Sequence, residues 1–217
     1  MTALSSIGAS KPSFELNGAK IWKAFLDRAA QREMTEDIRS IAKRAPFLQP
    51  MTPWGKPMTV RMTSAGRFGW VTDRQGYRYE EAHPKTGQPW PEIPPSILAV
   101  WKAVAETPTP PDCCLVNYYS EKARMGLHQD KDEADFGFPV VSISLGDPAT
   151  FRIGGSSRKD PTQSVTLESG DVLLMGGEAR LAFHGIDRIK FGGSTLLPDG
   201  GRINLTLRRV APAEAGV

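Results

Sequence analysis

A mainly β protein with helices on its N-terminal side and a jelly-roll-like core is what this sequence predicts, on three observations. From residue 113 onward, apolar residues alternate with a period of two in short runs set off by Gly, Pro and Asp. Upstream, two segments repeat apolar residues at helical spacing instead. Between those segments, residues 47–93 are dense in Gly, Pro and aromatic residues.

Taken in order, residues 1–18 are small and polar and read as a flexible lead-in, with residues 19–112 holding the helices and a lid. Thr35-Glu36-Asp37 offers a helix N-cap, with Ile38, Ile41, Ala42 and Ala45 on one face and Pro46 as the stop. A second helix follows Pro94-Pro95, its face formed by Ile97, Val100, Trp101 and Val104, and Thr107–Pro111 breaks it. Both stripes read as packing faces. The 47–93 stretch is loop and hairpin chemistry, and so long an irregular segment in a compact domain suits a lid over a site. The core is expected over residues 113–210, in strands near 115–119, 140–145, 150–153, 164–167, 171–175 and 202–208, with 211–217 as a tail.

The bulk properties exclude several classes. With 217 residues and 40% hydrophobic content the chain can bury a sizeable core, and its longest apolar runs fall far short of the ~18 residues of a membrane helix. The N-terminus lacks a basic n-region and an apolar h-region, so no secretory signal is expected and the location reads as cytoplasmic. Cys113 and Cys114 are adjacent, too close for ordinary disulfide geometry, and no second pair exists to build a cysteine zinc site. They read as structural thiols. A net charge of +3 permits a polyanionic partner without requiring one.

The chemistry begins at LHQDKDE, residues 127–133. By itself such a charged run is a solvated loop. On an extended segment, however, His128 and Asp130 share a face, so two ligands reach one metal. A third must come from His184 or His83; Leu181-Ala-Phe-His184-Gly185 follows a strand that ends in Gly176-Gly177, which favours His184, while His83 in the lid reads as a surface or loop histidine. Two imidazoles and a carboxylate with open coordination positions form the facial triad of non-haem Fe(II) oxygenases. On the last strand, Arg202, Asn204, Thr206 and Arg208 have one parity and Ile203, Leu205 and Leu207 the other. If the polar face is interior, two buried guanidiniums need a carboxylate or phosphate, which a dicarboxylate satisfies. A solvated edge strand fits the alternation equally well. Asn117 and Tyr119 repeat the pattern on another strand.

These residues resemble the AlkB family of Fe(II)- and 2-oxoglutarate-dependent nucleic-acid dealkylases, over about residues 35–210. The stretches that carry the resemblance are Gly69–Tyr77, Asn117–Tyr119, Leu127–Glu133, Val141–Gly146, Gly170 to Glu178, Phe183–Gly185 and Arg202–Arg208. It implies a double-stranded β-helix, a nucleotide-recognition lid, iron on His128, Asp130 and His184, and O2 as cosubstrate. It implies 2-oxoglutarate on Asn117, Tyr119, Arg202, Asn204 and Arg208, with Arg202 at the remote carboxylate and Arg208 at the chelating end. Trp70, Tyr77, Asp132, Glu133 and Arg158 match substrate positions. One departure stands out: Met175 replaces the tryptophan of the family pattern, which bears on the pocket lining rather than on the iron chemistry.

The expected reaction is oxidative removal of N-methyl groups from 1-methyladenine and 3-methylcytosine in single-stranded DNA, with RNA as a second candidate substrate, by a monomer, releasing formaldehyde, succinate and CO2. Such bases are cationic and cheap to unstack, which suits Asp132 or Glu133 and an aromatic platform of Trp70 or Tyr77. Arg67, Arg74 and Arg78 are candidates for phosphates. Two rival readings are a 2-oxoglutarate hydroxylase of a protein or small metabolite, which needs no aromatic–acid cluster, and a non-catalytic binding barrel, against which the triad and arginines weigh.

Overall fold

The computed structural model describes residues 11–212. In chain order the elements are β1 (Phe14–Leu16), β2 (Ala19–Trp22), α1 (Arg28–Arg44), β3 (Arg61–Gly66), β4 (Gly69–Asp73), β5 (Gly76–Glu80) and α2 (Pro95–Val104). There follow β6 (Cys113–Tyr119), β7 (Met125–His128), β8 (Val140–Gly146), β9 (Ala149–Ile153), β10 (Gln163–Leu167) and β11 (Val172–Met175). A 3-10 turn at Gly177–Ala179 then leads to β12 (His184–Ile189) and β13 (Arg202–Arg208).

The strands form a large antiparallel sheet ordered β1-β2-β11-β8-β13-β6-β3, a smaller one ordered β10-β9-β12-β7, and the separate β4–β5 hairpin. One apolar cluster joins the large sheet to the helices, packing Ile38, Ile97 and Trp101 against Ile143, Ile203, Leu205 and Leu207. A second fills the space between the sheets, with Ile21, Phe151, Ile153, Leu173 and Ile186 among its members. Strand β13 therefore turns its apolar parity to the helices and its polar parity to the space between the sheets, where Arg202, Asn204, Thr206 and Arg208 line a cavity. The solvated-edge reading of that strand fails, because β13 is central, hydrogen-bonded to β6 and β8.

Several elements differ from the sequence expectation. Part of the lead-in, residues 1–10, lies outside the described residues, but Phe14–Leu16 pairs with Ala19–Trp22 through Asn17-Gly18 at φ 47° and 78°. Asn-Gly with both residues left-handed is the favoured two-residue hairpin turn. Helix α1 starts at Arg28, ahead of Thr35, because the Asp27 carboxylate accepts from the Ala30 N–H at 2.8 Å. Thr35 is buried mid-helix and returns its hydroxyl to the Gln31 carbonyl. Within the 47–93 segment, β3 joins the main sheet beside β6, so only part of that segment stands over the cavity. Among the described residues no helix is long and apolar enough to cross a membrane.

The β4–β5 hairpin is fixed by a close approach. Gly69 lies against the Trp90 indole, where an added Cβ would come within 2.2 Å of the ring, and that indole N–H donates to the Glu80 carbonyl at 2.8 Å. The hairpin thus rests on a buried aromatic as well as on β3 and β6 of the large sheet. His83 shares this anchor: it is only 1% exposed, its Nε2 donates to the Pro46 carbonyl at 2.9 Å, and its ring meets Trp90 edge-on. Of the expected surface or loop histidine the loop part holds and the surface part does not: His83 is a buried loop histidine.

Candidate active site

Register brings the ligands together. His184 opens β12 and is the cross-strand partner of His128 at the end of β7, so the rings lie 4.4 Å apart by centroid. Asp130 follows two residues after His128, with carboxylate oxygens 3.7 Å from His128 Nε2 and 3.8 Å from His184 Nε2. One ligand atom from each residue lies within 4.8 Å of the others.

Both rings are oriented from behind. His128 Nδ1 lies 2.9 Å from the Gly126 carbonyl and His184 Nδ1 2.9 Å from the Ala182 carbonyl. A carbonyl only accepts, so each Nδ1 carries the proton and each Nε2 keeps a lone pair towards the shared point. Burial lowers the His184 pKa to about 4, which keeps that ring neutral and available as a ligand. Asp130 is buried, and burial alone would raise its pKa; Arg208, with His184, His128 and Arg180, outweighs burial and holds the carboxyl below its usual range. Arg208 Nη2 donates to Asp130 Oδ2 at 2.9 Å.

Behind this point the cavity, about 470 Å³, runs between the sheets. Asn204 and Arg202 on β13 are the direct cross-strand partners of Asn117 and Tyr119 on β6, and all four line it. Arg202 has no exposed surface, donates to Ser144 Oγ at 2.7 Å and to the Leu167 carbonyl at 3.4 Å, and among the described residues makes no ion pair. Arg202 Nε, Arg208 Nε and Asn117 Oδ1 are buried without a hydrogen-bond partner. A buried guanidinium with spare donors and no counter-charge calls for an anion. Fe(II) fits the two imidazoles and carboxylate, and a dicarboxylate such as 2-oxoglutarate fits the two arginines, Arg202 and Arg208, which would hold its two ends.

Towards the mouth, Trp70 on β4, paired with Tyr79, lies diagonally across the hairpin from Tyr77 on β5, paired with Thr72, and the two rings stack at 5.4 Å and 17°. The Trp70 Nε1–H donates to Asp132 Oδ2 at 2.9 Å. Arg158 lines the mouth, donates to the Leu127 carbonyl at 2.8 Å and lies over the Phe183 ring. Met175 lies in the lining, 2% exposed.

The profile described as the 2OG-Fe(II) oxygenase superfamily matches residues 18–208. The chain belongs to that superfamily. It is a dioxygenase of the AlkB type. An "Alpha-ketoglutarate-dependent dioxygenase AlkB homolog" of Caulobacter vibrioides is 56% identical over 204 residues, covering 94% of this chain and 93% of that protein. The "Alpha-ketoglutarate-dependent dioxygenase AlkB" of Escherichia coli K12 is 44% identical over 201 residues, 91% of this chain and 92% of that one. A solved structure titled "The structure of OsALKBH1" superposes with a TM-score of 0.78 at 32% identity, over 91% of this chain and all of the other. The jelly-roll fold follows from that likeness.

In this dioxygenase two sequence expectations need correction. Glu133 does not face a substrate: its side chain is fully buried, accepting from Arg180 Nη2 at 3.0 Å, Arg208 Nη1 at 3.1 Å and the Tyr79 hydroxyl at 2.6 Å. It balances two buried arginines behind Asp130. Arg67 and Arg78 are also spoken for, Arg67 by Glu81 at 3.0 Å and Arg78 by Asp73 and Glu80. Sequence reasoning did not single out Tyr79 or Arg180. Tyr79 was findable, having the same parity on β5 as Tyr77; Arg180, in the turn after β11, carries no local signal. Glu133→Gln is expected to lower unfolding free energy by about 3 kcal/mol, since the amide leaves buried Arg180 without an ion-pair partner and Arg208 with Asp130 alone. Urea denaturation measures this, and a loss below about 1 kcal/mol, the range of a solvated pair, would contradict it.

Proposed function

We propose that this dioxygenase removes N-alkyl groups from bases in single-stranded DNA, with RNA a second polymer substrate, acting as a cytoplasmic monomer. The observation that carries the reading is the mouth of the cavity: an aromatic stack beside a carboxylate, lining the same cavity as the triad. The names of the relatives support it, since "DNA N(6)-methyladenine demethylase ALKBH1C" of Arabidopsis thaliana is 37% identical over 75% of this chain and 42% of its own length. A prolyl hydroxylase from Trichoplax adhaerens at 12% identity and a TM-score of 0.53 shares the fold alone.

Bound together, Fe(II) and 2-oxoglutarate supply the oxidising power that turns an N-methyl C–H into C–OH, consuming O2 and releasing succinate and CO2. The chain's own residues do the rest. Trp70 and Tyr77 offer the flipped base a π surface, and cation–π attraction adds about 0.5–2 kcal/mol for a methylated cation. Asp132, held by the Trp70 indole N–H, presents negative charge to that cation. The apolar lining of Leu115, Phe151 and Ile186 limits water around the reacting carbon. Once hydroxylated, the N–CH2OH group loses its hydroxyl proton, the C–N bond breaks towards the ring, and formaldehyde leaves a neutral base.

Purified protein supplied with Fe(II), 2-oxoglutarate and ascorbate is expected to release formaldehyde from single-stranded DNA carrying 1-methyladenine or 3-methylcytosine. Succinate without formaldehyde on these substrates would overturn the reading. In the same assay Asp132→Ala should raise KM for the cationic lesions about tenfold, the scale of one close charge contact, and should affect N6-methyladenine, a neutral base, much less. An equal effect on both would show that Asp132 only props Trp70.

A further inference from the structure

Trp54 is the most exposed large apolar side chain among the described residues, at 79%, yet it lines the mouth of the cavity. An indole offers a large, rigid apolar face with a polar edge, the chemistry of a contact surface. Its backbone is not loose. Thr52-Pro53-Trp54-Gly55 forms a tight turn in which Gly55 N–H donates to the Thr52 carbonyl at 2.8 Å and Gly55 takes φ +77°. Proline second and a left-handed glycine last suit such a turn. Around it, Thr52 N–H donates to the Lys56 carbonyl at 2.8 Å, Lys56 N–H to Thr52 Oγ1 at 3.1 Å, and Met51 bridges Pro57. The Thr72 hydroxyl, on β4, donates to the Met51 carbonyl at 3.1 Å and ties the turn to the hairpin that carries Trp70 and Tyr77.

The two aromatic features differ in what they have left to give. Trp70 and Tyr77 are stacked on each other in the lining of the triad's cavity, whereas Trp54 has no aromatic ring packed against it among the described residues. A nucleotide whose base enters the cavity leaves its neighbours on the rim, unstacked on the side it vacated. We propose that Trp54 is a second base-stacking platform, which holds the base next to the lesion and so makes this enzyme prefer an oligonucleotide over an isolated nucleotide. This rests on the dealkylase reading and extends it from the lesion to its neighbour. Stacking takes any base, so the platform reads polymer context without reading sequence.

The test compares 3-methylcytosine as a 5′-mononucleotide, in a short single-stranded oligonucleotide, and in the same oligonucleotide with abasic residues flanking the lesion. For the wild-type protein, abasic flanks are expected to raise KM about tenfold, the size of one base–aromatic stack, with kcat little changed. In Trp54→Ala the ratio of oligonucleotide to mononucleotide kcat/KM should fall by about the same factor and the penalty for abasic flanks should vanish, while Trp54→Phe restores most of both. Binding of a fluorescein-labelled oligonucleotide, followed by anisotropy, should weaken in parallel in Trp54→Ala. If Trp54→Ala lowers activity on all three substrates by one factor, the indole merely shapes the mouth and the proposal is wrong. If it changes none of them, the proposal is equally wrong. Wild-type protein that binds the oligonucleotide and makes no formaldehyde would strike the dealkylase reading instead, and anisotropy that still depends on Trp54 and on the flanking bases would leave the platform standing.

Discussion

Asp130→Ala is expected to abolish formaldehyde release while leaving a folded protein. The carboxylate is one of three side chains aimed at a single point, and two imidazoles alone offer Fe(II) neither the charge nor the third donor that fixes its open positions. The loss should therefore exceed the roughly 10- to 100-fold that follows removal of a group merely bonded to a metal ligand. Folding should survive because Arg208, the buried partner of Asp130, keeps Glu133 at 3.1 Å and the Tyr79 hydroxyl at 2.9 Å. Circular dichroism and a thermal melt check the fold, and titration with Co(II), followed by its visible absorption, checks the site without turnover. Retained activity, or unchanged Co(II) spectra, would remove Asp130 from the ligand set.

How far this site was legible depends on whether its residues lie on regular backbone. Strand β13 alternates through seven residues, so its polar and apolar faces separate on paper. Which face was inside needed β6 and β8 on either side and the helices behind, all of them distant in sequence. The parity that joins His128 to Asp130 worked for two residues and then stopped, because β7 ends at His128. Beyond Asp130 the chain turns, and Asp132 and Glu133 part company: one reaches the indole of Trp70, the other a buried pair of arginines. A run of acids reads the same whether it is solvated, binds a cation or is buried, since its partners, Arg180 and Tyr79, lie 47 and 54 residues away. Strand β3 was hidden for a related reason. Met62, Thr63, Ser64 and Ala65 are all buried, so the half-polar alternation that marks an exposed strand is missing.

Replacing Arg202 should separate a binding role from a structural one by the sign of its effects. A buried ion that holds the fold together has its partner in the protein, and its removal destabilises. Arg202 has instead a hydroxyl, one carbonyl at 3.4 Å and an unpartnered Nε. Burial lowers its pKa to about 10, still well above neutrality, so the side chain is charged at pH 7, and among the described residues it makes no ion pair. Arg202→Met keeps the length and removes the charge, and the ligand-free protein is expected to be as stable as wild type or more so. The same change should raise KM for 2-oxoglutarate about 100- to 1000-fold, the size of a buried charge pair that loses one member. Wild-type protein with Mn(II) in place of Fe(II) should gain several degrees in Tm when 2-oxoglutarate is added, and Arg202→Met should gain almost none. Were Arg202 a structural ion, the variant would melt early and still respond to 2-oxoglutarate, so the two melts decide between the roles without turnover.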